Sequence, residues 1–290
     1  MLRKMPVLCV LVNLLVLTAG CIAPTPPKPG KEVVRISVQP KYSLLLMSRK
    51  YAPLFNYLSE ETGYDLRVVS ARSYDHYLKI LEGNQVHIGI QNPLAYITLV
   101  KTRGAYPLAK MVQPDGRASY RGAIITRHGS GIQKVADLKN RTVAAASRRS
   151  VGGHLAQMLL CMKHGVDVNR DLRLAIMDTQ DAVMHAVYQG KADAGFVRED
   201  ALALAMDRID PGKLAVIAYT DYYPAWSVAA FANTPSEVAQ NIAGALLNLD
   251  RDDPEHRKVL DAMGIAGFME AADSDYDAFR KTVVDLNLPH

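Results

Sequence analysis

The residues able to carry out chemistry in this chain are sparse, and their spacing argues for binding rather than catalysis. Cys161 lies in the apolar run Leu155-Ala156-Gln157-Met158-Leu159-Leu160-Cys161. A thiol on such a buried helix face reads as a core group, not a nucleophile. His154 and His164 stand far apart on one expected helix, and no His-Glu-x-x-His occurs, so no metal-ligand spacing is present. No Gly-x-Ser-x-Gly elbow occurs either. Gly129-Ser130-Gly131 lacks phosphate-loop spacing and reads as a turn. His76, His87, His128 and His185 read as surface or satisfied core groups. No pair of carboxylates stands out for glycoside hydrolysis. The expectation is a protein with no catalytic residue, metal or cofactor.

The N-terminus bears on where such a protein works. Arg3 and Lys4 precede the apolar run Val7 to Leu17, and Leu17-Thr18-Ala19-Gly20-Cys21 follows. A charged start, a short apolar segment and small residues at a cut site describe a secretory signal, and the run is short for a bilayer span. Ending on cysteine, it resembles a bacterial lipoprotein signal in which Cys21 becomes the lipidated first residue. Thr18 stands where an aliphatic residue is usual. An ordinary cleaved signal and a retained membrane helix are the alternatives. In each case residues beyond the signal work outside the cytoplasm, and Ile22 after Cys21, not being aspartate, favours an outer membrane. Ala23-Pro24-Thr25-Pro26-Pro27-Lys28-Pro29-Gly30 suits an extended tether.

Composition bounds the rest. The chain has 290 residues, 49% of them hydrophobic, with mean hydropathy −0.02, which fits a globular protein with a substantial core. Removal of Arg3 and Lys4 from 34 basic and 29 acidic side chains leaves a net charge of +3. These charges are scattered, without basic blocks or aromatic interleaving, so nucleic acid is not an expected partner. An anionic small molecule is compatible with that balance. Of three cysteines, Cys9 lies in the signal and Cys21 at its end, so no internal disulfide is expected.

Strands and helices alternate along the chain. Strands are expected at Val33 to Val38, Leu66 to Val69, Val86 to Ile90, Leu108 to Gln113, Gly122 to Thr126, Thr142 to Ala146, Arg173 to Met177, Ala192 to Val197, Leu214 to Tyr219 and Val228 to Phe231. Helices are expected at Tyr51 to Thr62, after the cap Ser73, from Pro93, at Gly152 to His164 and at Ala182 to Gln189. A short one is expected at Val135 to Lys139, and three more at Pro235 to Leu247, Pro254 to Met263 and Ser274 to Leu286. This order gives the α/β class, with mostly parallel sheets that bind ligands beyond the carboxyl ends of their strands. Extended stretches near 119–124 and 220–227 suggest two crossings between two lobes. The expected organisation is a signal over 1–20, a tether over 21–32, a first lobe of 33–120 plus 225–290, and a second lobe of 121–224.

An ordered set of motifs then stands out. It comprises Tyr51-Ala52-Pro53-Leu54, Tyr57-Leu58-Ser59-Glu60-Glu61-Thr62-Gly63, Tyr74-Asp75-His76-Tyr77, Gly83-Asn84-Gln85-Val86-His87-Ile88-Gly89, Pro93-Leu94-Ala95-Tyr96, Tyr120-Arg121-Gly122-Ala123-Ile124-Ile125, Gly131-Ile132, Asp137-Leu138-Lys139 and Gly190-Lys191-Ala192-Asp193-Ala194. From about residue 33 to 270 this series resembles the substrate-binding proteins of phosphate, phosphite and phosphonate ABC transporters. The resemblance implies the two-lobed type 2 periplasmic binding fold, with mixed, mostly parallel sheets, two crossover strands as hinge, and a cleft that closes on a small ligand.

It also implies a set of ligand contacts. The family grips its oxyanion with a Ser/Thr-rich loop at a helix N-terminus, where free N–H groups favour negative charge. The matching segment here runs Ser147-Arg148-Arg149-Ser150-Val151-Gly152-Gly153-His154. Ser150 keeps the first hydroxyl, while Val151 and Gly152 replace the usual Thr and Ser. Arg148 or Arg149 could supply charge instead, or both could be solvated loop residues. Gln180 takes the place of the family's histidine. Gln91 and Asn92 at a strand end, Tyr96 in the next helix and Tyr120 near the crossover complete the implied set, with loop capping and hinge packing as the alternatives. Glu199 or Asp200 matches the family's acidic residue, the two registers differing by one position. Tyr42, Tyr222, Tyr223 and Trp226 are candidates for the cleft walls.

The implied function is a lipid-anchored, monomeric receptor that presents a small anion to an ABC permease. A receptor that presents its ligand to a sensor kinase is the alternative, followed by an extracytoplasmic enzyme.

Overall fold

The computed structural model describes residues 31–205 and 209–285. The expected signal, Cys21, most of the tether and Leu286 lie outside the described residues. In chain order the first elements are β1 (Val33–Val38), α1 (Leu44–Thr62), β2 (Asp65–Val68), α2 (Tyr74–Glu82), β3 (Ile88–Gln91), α3 (Pro93–Arg103), β4 (Tyr106–Val112) and β5 (Ser119–Arg127). Next come β6 (Thr142–Ala145), α4 (Ala156–Lys163), β7 (Arg173–Ile176), α5 (Gln180–Tyr188), β8 (Ala194–Arg198), α6 (Glu199–Ala205) and β9 (Leu214–Pro224). The last are β10 (Ser227–Ala230), α7 (Ser236–Leu247), α8 (Pro254–Met263), β11 (Gly267–Met269) and α9 (Asp277–Asp285).

The strands form two mixed sheets flanked by helices, one per lobe, ordered β11-β4-β10-β3-β1-β2 and β7-β6-β8-β5-β9. Parallel pairing joins β1 to β2 and β3, and β6 to β7 and β8. Val34, Ile36, Ile88 and Ile90 are fully buried, as expected of strands covered on both faces. Antiparallel pairing places β10 between β3 and β4, and β5 between β8 and β9, all tied to the crossings, and adds β11 to β4 at the sheet edge. β5 and β9 run side by side from Ser119 opposite Pro224 to Arg127 opposite Leu214, and they carry the chain into and out of the second lobe. Among the described residues no helix is long and apolar enough to cross a membrane.

Four short-range caps aim helix starts at the space between the lobes. Ser73 Oγ accepts the His76 N–H at 3.1 Å, and Asn92 Oδ1 the Ala95 N–H at 2.9 Å. Ser150 Oγ accepts the Gly153 N–H at 3.1 Å, and Thr179 Oγ1 the Ala182 N–H at 3.3 Å. Each follows the carboxyl end of a strand, respectively β2, β3, β6 and β7, and each satisfies a donor that the helix itself leaves free.

Several boundaries differ from the sequence reading. α1 begins at Leu44, not near Tyr51, and runs through Pro53. Its early turns are held from outside: Lys50 Nζ donates to the Ala262 and Met263 carbonyls at the end of α8. The expected helix from Gly152 opens as a wide π-turn over Val151–Leu155 before α4. β9 continues to Pro224, and α6 and the three-residue β11 are additional elements.

Candidate functional site

Residues from both lobes meet at the carboxyl ends of β1, β3, β6, β7 and β8. Lys41 and Tyr42 follow β1, Asn92 follows β3, and Tyr51, Tyr74 and Trp226 stand on the same first-lobe face. Ser150, Gln180 and Arg198 come from the second lobe, and Tyr120 stands on β5 at the crossing. All are buried.

Direct bonds already link the two sides. Asn92 Nδ2 donates to the Arg149 carbonyl at 3.1 Å, and Tyr74 Oη lies 3.3 Å from Ser150 Oγ. The Gln180 N–H donates to the Lys41 carbonyl at 3.0 Å. At the mouth, Arg149 Nε donates to Asp75 Oδ1 at 2.6 Å.

Charge concentrates inside. Arg198 donates through Nε and Nη2 to Asp200 at 2.7 and 2.9 Å. Lys41 Nζ lies 3.7 Å from Asp200 Oδ2. Burial opposes ionisation of Asp200, yet Arg198 and Lys41 beside it hold its carboxyl down at about 2. Burial, followed by the Arg198 charge, draws Lys41 down to about 7 against the pull of Asp200. Burial raises the hydroxyl pKa values of Tyr42, Tyr74 and Tyr120 above the ordinary phenol range, so they remain protonated donors.

Buried donors without a hydrogen-bond partner among the described residues gather at this place. They are Tyr42 Oη, Gln180 Nε2, Arg198 Nη1 and Tyr120 Oη, the last beside the Trp226 indole. Leaving such groups unpaired costs about 1–3 kcal/mol each, so their convergence marks a surface shaped for an acceptor-rich partner. Two glycines make the approach possible. A Cβ on Gly152 would lie 2.6 Å from Arg198 Cγ and 2.7 Å from the Tyr120 ring. One on Gly153 would lie 2.4 Å from Gln180 Nε2.

The candidate residues from the sequence divide accordingly. Asn92, Tyr120, Arg149, Ser150, Val151, Gly152 and Gln180 lie in or beside the cleft, with Val151 fully buried in the π-turn. Gln91 is instead a first-lobe strut: Tyr77 Oη donates to its Oε1 at 2.6 Å, and its Nε2 donates to Ser227 Oγ at 2.9 Å. Tyr96 points away, donating to Asp273 Oδ1 at 2.7 Å and packing on Tyr276. Glu199 holds Arg121 by two bonds of 2.8 and 2.6 Å in an outer groove by the crossings. Asp200, one residue on, is the carboxylate that reaches the cleft cations. Of the aromatic candidates, Tyr42 and Trp226 reach the cleft. Tyr222 lies against Arg117 and Arg121, and Tyr223 against Phe279. Arg148 reaches Asn169 on the exposed side.

Lys41 and Arg198 are not among the residues to which the sequence alone points. Arg198 ends the otherwise apolar strand Ala194-Gly195-Phe196-Val197 and Lys41 follows Pro40 just beyond β1. A lone cation at the carboxyl end of a buried strand is the available signal. Cys161 is buried, and burial pushes its thiol up to about 12.

Comparison with known proteins agrees with this architecture. The same fold occurs in PhnD1 from Prochlorococcus marinus, solved with methylphosphonate (TM-score 0.81, 15% identity, 89% of this chain and 99% of that one). It occurs also in a binding protein component of an ABC phosphonate transporter from Pseudomonas aeruginosa (TM-score 0.80, 18% identity, 89% of each chain). A Xanthomonas citri protein bound to chloride is similar too (TM-score 0.71, 16% identity, 88% of this chain and 97% of that one). The family described as ABC transporter, phosphonate, periplasmic substrate-binding protein matches residues 36–276, and the chain belongs to that family.

Proposed function

We propose that this chain is the lipid-anchored receptor of an ABC uptake system, monomeric and extracytoplasmic. Its lobes, 33–120 plus 225–290 and 121–224, close over a small oxyanion such as phosphate, phosphite or phosphonate, which it delivers to its permease. Cys21 carries the anchor. The observation that carries this reading is the set of unpaired buried donors, Tyr42 Oη, Tyr120 Oη, Gln180 Nε2 and Arg198 Nη1, beside the Lys41 ammonium. Such a set is complementary to oxygens that only accept. Methylphosphonate in the Prochlorococcus relative supports the same ligand chemistry.

An anion touching both lobes favours the closed arrangement by its differential affinity for it. Phosphite, phosphate and methylphosphonate are therefore tested for a rise in melting temperature and for compaction in solution scattering. At least one is expected to produce both, and Arg198→Gln to abolish both. A panel that moves neither quantity refutes the oxyanion reading. The anchor is tested separately, by incorporation of labelled fatty acid that Cys21→Ser removes.

A further inference from the structure

The aromatic faces of the cleft are engaged by the chain's own cations. Lys41 Nζ stands 5.2 Å from the Tyr42 ring centroid and 4.9 Å from that of Trp226. Arg198 Cζ stands 4.0 Å from the Tyr120 centroid and 5.6 Å from that of Trp226. A ring face that already holds a cation offers little to a second one, and two fixed positive charges repel a third. The carboxylate beside them is committed as well. Asp200 Oδ1 receives Arg198 Nε, and Oδ2 receives Arg198 Nη2 and faces Lys41.

The charge count follows from these groups. With Lys41 protonated, the form that a bound anion favours, Lys41 and Arg198 against Asp200 leave one positive charge over. Two further charges act on Tyr42, Lys50 and Asp181, and these are of opposite sign. Arg149 at the mouth is balanced by Asp75, and Tyr42, Tyr51, Tyr74 and Tyr120, which also face the cluster, are phenols that burial keeps neutral. One negative charge brought in by a ligand balances the surplus. A second would be buried without a counter-charge, which is costly.

We propose that the cleft selects a small oxyanion with a single negative charge and no cationic group, gripped by Lys41 and Arg198 while Asp200 fixes the count. This rests on the reading of the cleft as an oxyanion site and narrows it. The net charge of the gripping groups sets the preference, so changing Asp200 changes which ligand charge is preferred.

Titration calorimetry on the purified protein compares three pairs, each at one pH. Methanesulfonate is set against sulfate in slightly acid buffer, and hypophosphite against phosphite in mildly alkaline buffer where phosphite is a dianion. Ethylphosphonate is set against 2-aminoethylphosphonate. The expected result is that the monoanion of each of the first two pairs binds about tenfold more tightly. Ethylphosphonate is likewise expected to exceed its aminated analogue by about tenfold. Asp200→Asn raises the surplus to two and reverses the order in the first two pairs.

Where one pair alone binds measurably, its order decides. Preference of the unaltered protein for sulfate or phosphite overturns the inference while leaving the oxyanion receptor standing. So does equal binding of 2-aminoethylphosphonate, its ammonium taken by the free Asp181 Oδ1. Absence of binding by every anion refutes the receptor reading itself, and this inference with it. If Asp200→Asn does not fold, the comparisons on the unaltered protein carry the test.

Discussion

Arg149 Nε donates to Asp75 Oδ1 at 2.6 Å, tying the turn after β6 to the first turn of α2 across the mouth of the cleft. The two side chains are 32% and 81% exposed, so water screens the pair and its worth is at most about 1 kcal/mol. Its effect falls on the lifetime of the closed arrangement. Asp75→Ala is expected to speed ligand release about 2- to 5-fold at low salt with little change in melting temperature. The difference should shrink as salt is added. Stopped-flow dissociation measures this, and an unchanged release rate at low salt would remove the latch role.

Lys41 predicts a pH dependence whose sign is fixed by its shift. Burial and the Arg198 charge lower it from 10.5 to about 7. Between those values the unfolded chain holds the proton more fully than the folded protein, so stability from this group rises with pH across that window. Below it the cost of the buried charge is felt in full. Lys41→Met removes the cost, so the variant's advantage in melting temperature is expected to be largest below neutral pH and to fade on the alkaline side. An anion beside Lys41 favours its charged form. Binding by the unaltered protein should therefore take up a proton in alkaline buffer and not in acid buffer. Calorimetry in buffers of different ionisation enthalpy reads that uptake, and a pH-independent result contradicts the placement of the charge.

Tyr96 separates a binding role from a structural one. Its hydroxyl donates to Asp273 Oδ1 at 2.7 Å, and its ring lies 4.5 Å from that of Tyr276, on the side of α3 that meets the C-terminal segment. Tyr96→Phe loses one hydrogen bond and keeps the ring. The expected cost is about 0.5–1.5 kcal/mol of stability, with ligand affinity unchanged in the folded protein. Denaturant titration and calorimetry on the same preparation decide. A loss of affinity without a loss of stability would return Tyr96 to the ligand.

What was legible in the sequence divides along the range of the interactions. Ser73, Asn92 with Pro93, and Ser150 before two glycines are local signals, and each caps its helix as such patterns do. Alternating strands and helices gave the two-sheet plan for the same reason. α1 starts at Leu44, seven residues before the expected Tyr51, and runs through Pro53. The bonds that hold its early turns come from α8, over two hundred positions away. Gln91 and Gln180 carry the same amide at the end or just beyond the end of a strand. Only the positions of Tyr77 and Ser227 make the first a strut. Arg198 meets Asp200 two residues further along its own lobe, whereas Lys41 reaches Asp200 only where the lobes meet, which no local spacing encodes.

Gly153 offers the sharpest geometric test of that meeting point. A Cβ there would lie 2.4 Å from Gln180 Nε2 and 2.9 Å from Ser150 Oγ, too close for either to stay. Gln180 cannot yield freely, since its Oε1 accepts the Arg198 N–H at 2.9 Å and its own N–H donates to the Lys41 carbonyl. Displacing it shifts the backbone of one cleft cation and the loop carrying the other. Away from such a clash, replacing glycine within a helical turn by alanine would stabilise by about 0.5–1 kcal/mol. Gly153→Ala is instead expected to destabilise by about 1–3 kcal/mol and to weaken anion binding. In a Gln180→Ala background the clash is relieved, so the same substitution should become neutral or stabilising, giving a coupling of about 1 kcal/mol or more between the two sites. Equal cost in both backgrounds would place the strain elsewhere and detach Gln180 from the cleft geometry.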